Sequence, residues 1–181
     1  CGRDWSSDVC SSDLFFGCSM TDQEPLAGID RRVDLNRFMG DWYVVASIPI
    51  DLWFASEANA YNGIETYELT DDGRILTTYT FNEGSFSGEV VQFNPVAWVD
   101  NLETNAEWKM QFMWPFRSTY LIAYLDDNYQ ETIIGVPSRK YVWIMTRTAN
   151  IGEANLERLI GIARDLGHDT DRIRIIPHES Q

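Results

Sequence analysis

The residues whose types could do covalent chemistry are unevenly spread along the 181 residues. Three cysteines fall at positions 1, 10 and 18, and both histidines, His168 and His178, lie near the other end. From Ser19 to Gly167 there is neither Cys nor His. That stretch therefore lacks the pairs from which Cys–His and Ser–His–Asp nucleophiles are built. It also lacks the His/Cys sets that hold zinc or haem. Acidic residues are plentiful, but Glu103, Glu107, Asp126 and Asp127 fall in turns or on faces that alternation turns to water. A carboxylate-only glycosidase needs two inward carboxylates with space between them, and the pattern shows no such pair. His168 directly follows a glycine and reads as an exposed loop residue. No catalytic residue, metal ligand or cofactor is expected, which leaves non-covalent binding as the chemistry to explain.

Composition narrows the partners. Fourteen Lys+Arg against 28 Asp+Glu give a net charge of −14, which repels phosphate and argues against nucleic acid. Residues 1–14 carry Arg3 against Asp4, Asp8 and Asp13, so most of the acidity belongs to the remainder. Hydrophobic residues at 44% and aromatics at 13% are too many for a disordered chain. The length suits one domain with a sizeable core. No run of 18 apolar residues is present to form a membrane-spanning helix.

The first 18 residues are unlike the rest. Residues 1–14 (CGRDWSSDVCSSDL) have no period and repeat Ser-Asp pairs. They resemble a translated sequencing adapter, the alternative being a natural disordered tail. Leu14-Phe15-Phe16-Gly17-Cys18-Ser19 resembles the end of a bacterial lipoprotein signal, in which the cysteine thiol takes the diacylglyceryl group. On that reading residues 1–18 are artefact plus truncated signal, Cys18 is the lipidation site, and serine after it suits outer-membrane sorting. The alternative is a lone free thiol in a leader. Residues 19–32 read as a linker, and 33–177 as one folded domain.

The body reads as short, hairpin-linked strands: 42–48, 62–69, 74–82, 88–99 (with Pro95 marking an edge or bulge), 106–113, 118–125, 131–136 and 141–147. Thr70-Asp71-Asp72-Gly73 is a tight-turn signal. Leu156, Leu159, Ile160, Ala163 and Leu166 recur at helical spacing between Gly152 and Gly167, with Gly167 suited to the C′ position. A short strand over 172–176 follows. Eight such strands imply an antiparallel barrel or sandwich.

Gly40-Asp41-Trp42-Tyr43 at the first strand resembles the lipocalin signature Gly-x-Trp-Tyr. Leu125-Asp126-Asp127-Asn128-Tyr129 after the sixth strand and Arg147 closing the eighth match that family's second and third motifs. Tyr141–Thr148 is similar to the bacterial, apolipoprotein-D-like branch in particular, whose members include outer-membrane lipoproteins. The resemblance implies an all-β fold: an eight-stranded up-and-down antiparallel barrel with one C-terminal α-helix and a short final strand. It implies scaffold roles for Gly40, Trp42, Asp126, Tyr129 and Arg147. The physics agrees: Trp42 can plug one end of the barrel, and Arg147 can stack on the indole while donating to carbonyls of the N-terminal turn.

Alternation then assigns faces. With Trp42 inward, Val44, Ala46 and Ile48 follow. Glu107, Lys109 and Gln111 must face water, so Trp108, Met110 and Phe112 face in. Tyr120, Ile122 and Tyr124 face in, as do Trp143 and Met145. The family's pattern adds Asn62, Ile64, Thr66, Thr77, Tyr79, Phe93 and Ala97, and Leu52-Trp53-Phe54 lies beside the mouth as a lid or a membrane- or partner-touching patch. The expected ligand contacts are Trp53, Asn62, Ile64, Thr66, Tyr79, Phe93, Trp108, Met110, Phe112, Tyr120, Ile122, Trp143 and Met145, with Tyr79, Tyr120 and Asn62 available to a polar head. A small amphiphile follows, either a fatty acid or a (lyso)phospholipid, carried or stored in a bacterial envelope by a periplasm-facing protein anchored to the outer membrane. Two alternatives stand beside it: a lipid-modifying enzyme, marked by inward ionisable groups, and an envelope-stress or structural protein with a filled barrel.

Overall fold

In the computed structural model, residues 24–52 and 55–179 are described. A short helix, α1 (Leu35–Phe38), precedes β1 (Gly40–Ile48). A two-residue-per-strand hairpin, β2 (Asp51–Leu52) and β3 (Ala55–Ser56), leads to β4 (Ala60–Leu69) and β5 (Arg74–Glu83). Pro95 divides the expected fourth barrel strand into β6 (Val90–Phe93) and β7 (Val96–Val99), both of which pair with β5. Then come β8 (Glu107–Met113), β9 (Phe116–Leu125), β10 (Glu131–Gly135) and β11 (Val142–Thr146). Helix α2 (Glu153–Asp165), a 3₁₀ turn (Thr170–Arg172) and β12 (Arg174–Ile175) complete the chain order.

Every barrel neighbour is antiparallel, and β1 pairs with both β4 and β11, so the eight-stranded sheet closes on itself. Strand β12 adds to β1 outside the barrel. Gly167 occupies the C′ position of α2 with φ 87°. Its N–H bonds to the Arg164 carbonyl and that of His168 to the Ala163 carbonyl, a Schellman ending. Leu159 and Ala163 of α2 cover the outer face of β1, β10 and β11, against Val45, Ala46, Ile48, Ile133, Val142 and Ile144. Buried on both faces, β11 reads as an apolar run from Val142 to Met145 rather than an alternating one, as do Ile133 and Ile134 of β10.

One end of the barrel is sealed by a lock between chain ends. Asp34 caps α1, accepting from the Asn36 and Arg37 amides. The carbonyls that α1 leaves free, Arg37, Phe38 and Met39, each accept Arg147 Nη2 at 2.9 Å. Arg147 Nη1 reaches the Asp41 carbonyl at 2.6 Å, and its guanidinium carbon lies 3.8 Å from the Trp42 ring centre. Trp42 itself is fully buried and donates its indole N–H to the Phe38 carbonyl at 2.8 Å. The loop after β9 supports the lock. Asp126 accepts the Asn128, Gln130 and Glu131 amides, while Tyr129 (φ 61°) takes the Asp34 amide on its hydroxyl and lies under the Arg37 guanidinium.

Substituting Arg147→Ala strips these charged donors from several carbonyls at once. A loss of about 2–4 kcal/mol in urea-unfolding stability is expected. Arg147→Lys should recover less than half of it, because an ammonium cannot fork across three carbonyls and stack on an indole.

Candidate functional site

The lumen is built from inward rows on paired strands. Trp42 lies directly across from Glu65, and Glu65 across from Tyr79. Tyr67 lies across from Thr77, Trp108 from Tyr120, and Ile134 from both Ile122 and Trp143. Aromatic packing links the rows: Trp108 and Tyr120 stack with centroids 5.7 Å apart, and Tyr120 and Trp143 sit at 6.0 Å. Of the expected ligand contacts, Tyr79, Phe93, Trp108, Met110, Tyr120, Ile122, Trp143 and Met145 all belong to this lumen cluster, and so do Thr77's neighbours Ile75 and Ala97.

Other expected contacts lie elsewhere. Asn62 sits at a β-bulge with φ 53° and serves the C-terminal tail: its amide donates to the Pro177 carbonyl and its Oδ1 accepts from the Glu179 amide. Beyond that bulge the inward residues of β4 are Gly63, Glu65 and Tyr67, so Ile64 and Thr66 face out, and Thr66 donates to Asp41 at 2.6 Å. A second bulge, at Val45, rotates the end of β1. Ser47, opposite Trp143, shares its inward face, while Ala46 and Ile48 pack outside under α2. A third, between β9 and β10, turns Tyr124 out to the α2 side. Phe112 lies past an irregularity in β8 and is half exposed at the mouth, beside exposed Trp114 and Phe116. Trp53 and Phe54, and Cys18 with all of residues 1–23, lie outside the described residues. His168 is buried rather than exposed, with Nδ1 facing the Arg139 carbonyl at 3.3 Å.

The largest departure from the sequence reading is a pair of inward carboxyls. Glu65 is buried in β4, where hydrogen bonds from Tyr67 and Tyr120 reach it, and the two phenols also hydrogen-bond each other. Glu57, just after β3, is buried and accepts the Trp143 indole N–H at 3.1 Å. Burial, and secondarily the charge of Glu57, pushes the Glu65 carboxyl up to about 8. Burial pushes Glu57 up to about 7 against the pull of the Trp143 and Ile50 hydrogen bonds. Burial and these carboxylates drive the phenols of Tyr67, Tyr79 and Tyr120 well above their usual range. Ser47 Oγ, Thr77 Oγ1 and Tyr79 OH are buried without a hydrogen-bond partner among the described residues. The site is thus a closely packed aromatic lumen with a buried polar cluster around Glu65.

A Lipocalin-like domain model matches residues 33–178. The chain belongs to the lipocalin family. The temperature-induced lipocalin-1 of Arabidopsis thaliana is 30% identical over 169 residues, covering 87% of this chain and 86% of that protein. The outer membrane lipoprotein Blc of Vibrio cholerae is 27% identical over 143 residues, covering 77% and 80%. Blc of Escherichia coli is 27% identical over 162 residues, covering 88% and 87%. Among solved structures, lobster apocrustacyanin A1 superposes with a TM-score of 0.60 at 13% identity, covering 88% of this chain and 94% of that one. The cockroach allergen Per a 4 gives 0.61 at 15%, covering 87% and 96%. These two share the fold. This lipocalin is a ligand-binding protein whose barrel takes a small hydrophobic molecule.

The raised carboxyls make its stability depend on pH with a definite sign. Below the unfolded value of 4.5 both states hold the protons. Between there and about 8 the native state keeps protons that the unfolded chain releases, so stability falls as pH rises. Each such proton contributes a slope of up to about 1.4 kcal/mol per pH unit. Urea midpoints measured from pH 5 to 9 should fall less steeply for Glu65→Gln than for the wild type. Parallel profiles would show that Glu65 is ionised in the native barrel.

Proposed function

We propose that this lipocalin buries the acyl chain of a single-chain amphiphile, a fatty acid or lysophospholipid, and carries or stores it in a bacterial envelope. The observation that supports this most directly is the lumen itself. Its inward side chains Trp108, Met110, Ile122, Ile134 and Met145 form a fully buried apolar lining, sealed at one end by Trp42 and rimmed at the other by exposed Phe112, Trp114 and Phe116. Burial of each methylene contributes about 0.8 kcal/mol. Affinity should therefore rise about fourfold per added CH₂ from C8 upward, until the chain outgrows the lumen. Intrinsic tryptophan fluorescence reads this, since Trp108 and Trp143 line the wall. Absence of saturable binding, or affinity independent of chain length, rejects the reading.

The names of the Vibrio cholerae and Escherichia coli relatives, outer membrane lipoproteins, support an envelope location. Cys18 is the residue proposed to carry the lipid anchor. In the native host, Cys18→Ser should abolish incorporation of labelled palmitate and move the protein out of the membrane fraction.

The coupled buried carboxyls Glu57 and Glu65 favour a second reading, acid-catalysed isomerisation of a bound unsaturated lipid by a carboxyl held protonated at neutral pH. Chromatography of such lipids before and after incubation with the protein tests it, and unchanged retention removes it.

A further inference from the structure

The polar cluster around Glu65 has a composition that selects among head groups. It rests on the reading of the lumen as an amphiphile site, and sharpens it. The buried polar side chains of the described residues include Glu57, Glu65, Ser47 and Thr77, and no lysine or arginine. Arg147, the cation nearest in register, lies against Trp42 with its guanidinium committed to the carbonyls of the lock. Tyr79 OH is buried on an inward face with lone pairs unused, as are Ser47 Oγ and Thr77 Oγ1 at other levels of the lumen. Tyr79 is directly across from Glu65, and its hydroxyl lies over Gly63, where even a Cβ would come within 3.1 Å of it. A side chain at Gly63 would require that hydroxyl to give way by a few tenths of an ångström.

We propose that Glu57, Glu65 and the free hydroxyl of Tyr79 form a head-group subsite for a long-chain ammonium, which enters cation-first with its alkyl tail running back along the aromatic side chains to the mouth. The chemistry favours this ligand over an anion. A buried carboxylate head would meet two carboxyls and no cation, and a buried charge without a partner is strongly disfavoured. A primary ammonium carries three donors for the unused lone pairs and supplies the counter-charge that the two acids lack. The net charge of −14 draws cations toward the protein and repels anions. A free fatty acid is then held tail-first, with its carboxylate at the mouth.

Binding must be linked to protons. The groups facing the subsite are Glu57 beyond β3, Glu65 and Tyr67 on β4, Tyr79 on β5 and Tyr120 on β9. An arriving ammonium favours the ionised form of the glutamates, so a carboxyl releases its proton to solvent as the cation enters. Ammonium affinity therefore rises from pH 6 to 8, across the range where the two carboxyls titrate, while dodecanoate affinity does not.

The test uses the full chain and three probes of equal chain length below their micellar concentrations: dodecylammonium, dodecanol and dodecanoate. Affinities are read from tryptophan fluorescence at pH 6 and pH 8. At pH 8, dodecylammonium should bind at least about tenfold more tightly than dodecanoate, one carboxyl's worth of charge. Glu65→Gln and Glu57→Gln should each erase most of that ratio while leaving dodecanol within about twofold. Equal or tighter dodecanoate binding overturns the subsite and leaves the acyl-chain reading standing. So does an ammonium-to-dodecanoate ratio unchanged in the glutamine variants. Failure of all three probes to bind overturns both. Should a glutamine variant not fold, the wild-type pH profile of the ratio still decides, and a flat profile rejects the subsite.

Discussion

One guanidinium holds the barrel shut. Arg147 ends β11, the last barrel strand, and the carbonyls it binds belong to α1 and the start of β1, the first. A β-barrel closed only by its sheet would still be open at both ends. Here the free carbonyls at the end of a one-turn helix, which need donors in any case, are placed under the one side chain able to serve several at once. Trp42 lies between the guanidinium and the lumen, so the cation is kept out of the cavity by the ring it stacks on. The lock therefore sets the lumen's electrostatics as well as its floor: the scaffold's arginine is spent, and none remains inside to pair with an acid.

That explains why the Glu65 carboxyl beside Trp42 is pushed up to about 8. Its environment offers phenolic donors from Tyr67 and Tyr120 and no counter-charge. Hydrogen bonds alone do not offset the desolvation of a carboxylate, and the second acid, Glu57, adds repulsion. The barrel thus stores a proton at neutral pH near its closed end. A cationic ligand or an alkaline medium can each displace it, with opposite consequences: the ligand replaces the lost proton with a charge partner, and the medium leaves a buried charge unpaired.

The scaffold was legible in the sequence because its signals are local. Gly40-x-Trp42-Tyr43, the Asp126 turn, Arg147 and Gly167 each act through neighbours a few residues away or through a family pattern that names their partners. Much of the cavity wall was legible as well, since Lys109 and Gln111 leave little choice for Trp108 and Met110. The polar cluster was not. The turn Thr70–Gly73 reads as a four-residue connection, which would pair Leu69 with Arg74. In the structure Thr70 N–H bonds to the Arg74 carbonyl, and Leu69 pairs with Ile75. That one-residue difference flips the side chains of β4 from Ile64 to Leu69 and exchanges Ile64 and Thr66 for Glu65 and Tyr67, until the bulge after Tyr61 restores the register. The family's pattern puts Ile64 and Thr66 inward, which leaves Glu65 in the outward phase.

The same logic bears on β1 and β9, where bulges move Ser47 inward and Tyr124 outward. Bulges are not written in composition, since they arise where a strand must serve two partners of different curvature. On one edge β1 passes from β4 at the closed end to β12 near the mouth, and its extra residue falls between those pairings, with β11 beside it on both sides of the bulge. Its consequence is chemical: the phase change exposes a hydroxyl rather than the methyl of Ala46 to the lumen. Closure of the barrel thus generates the polar positions that an alternation rule cannot see, and those positions, not the apolar wall, distinguish one head group from another.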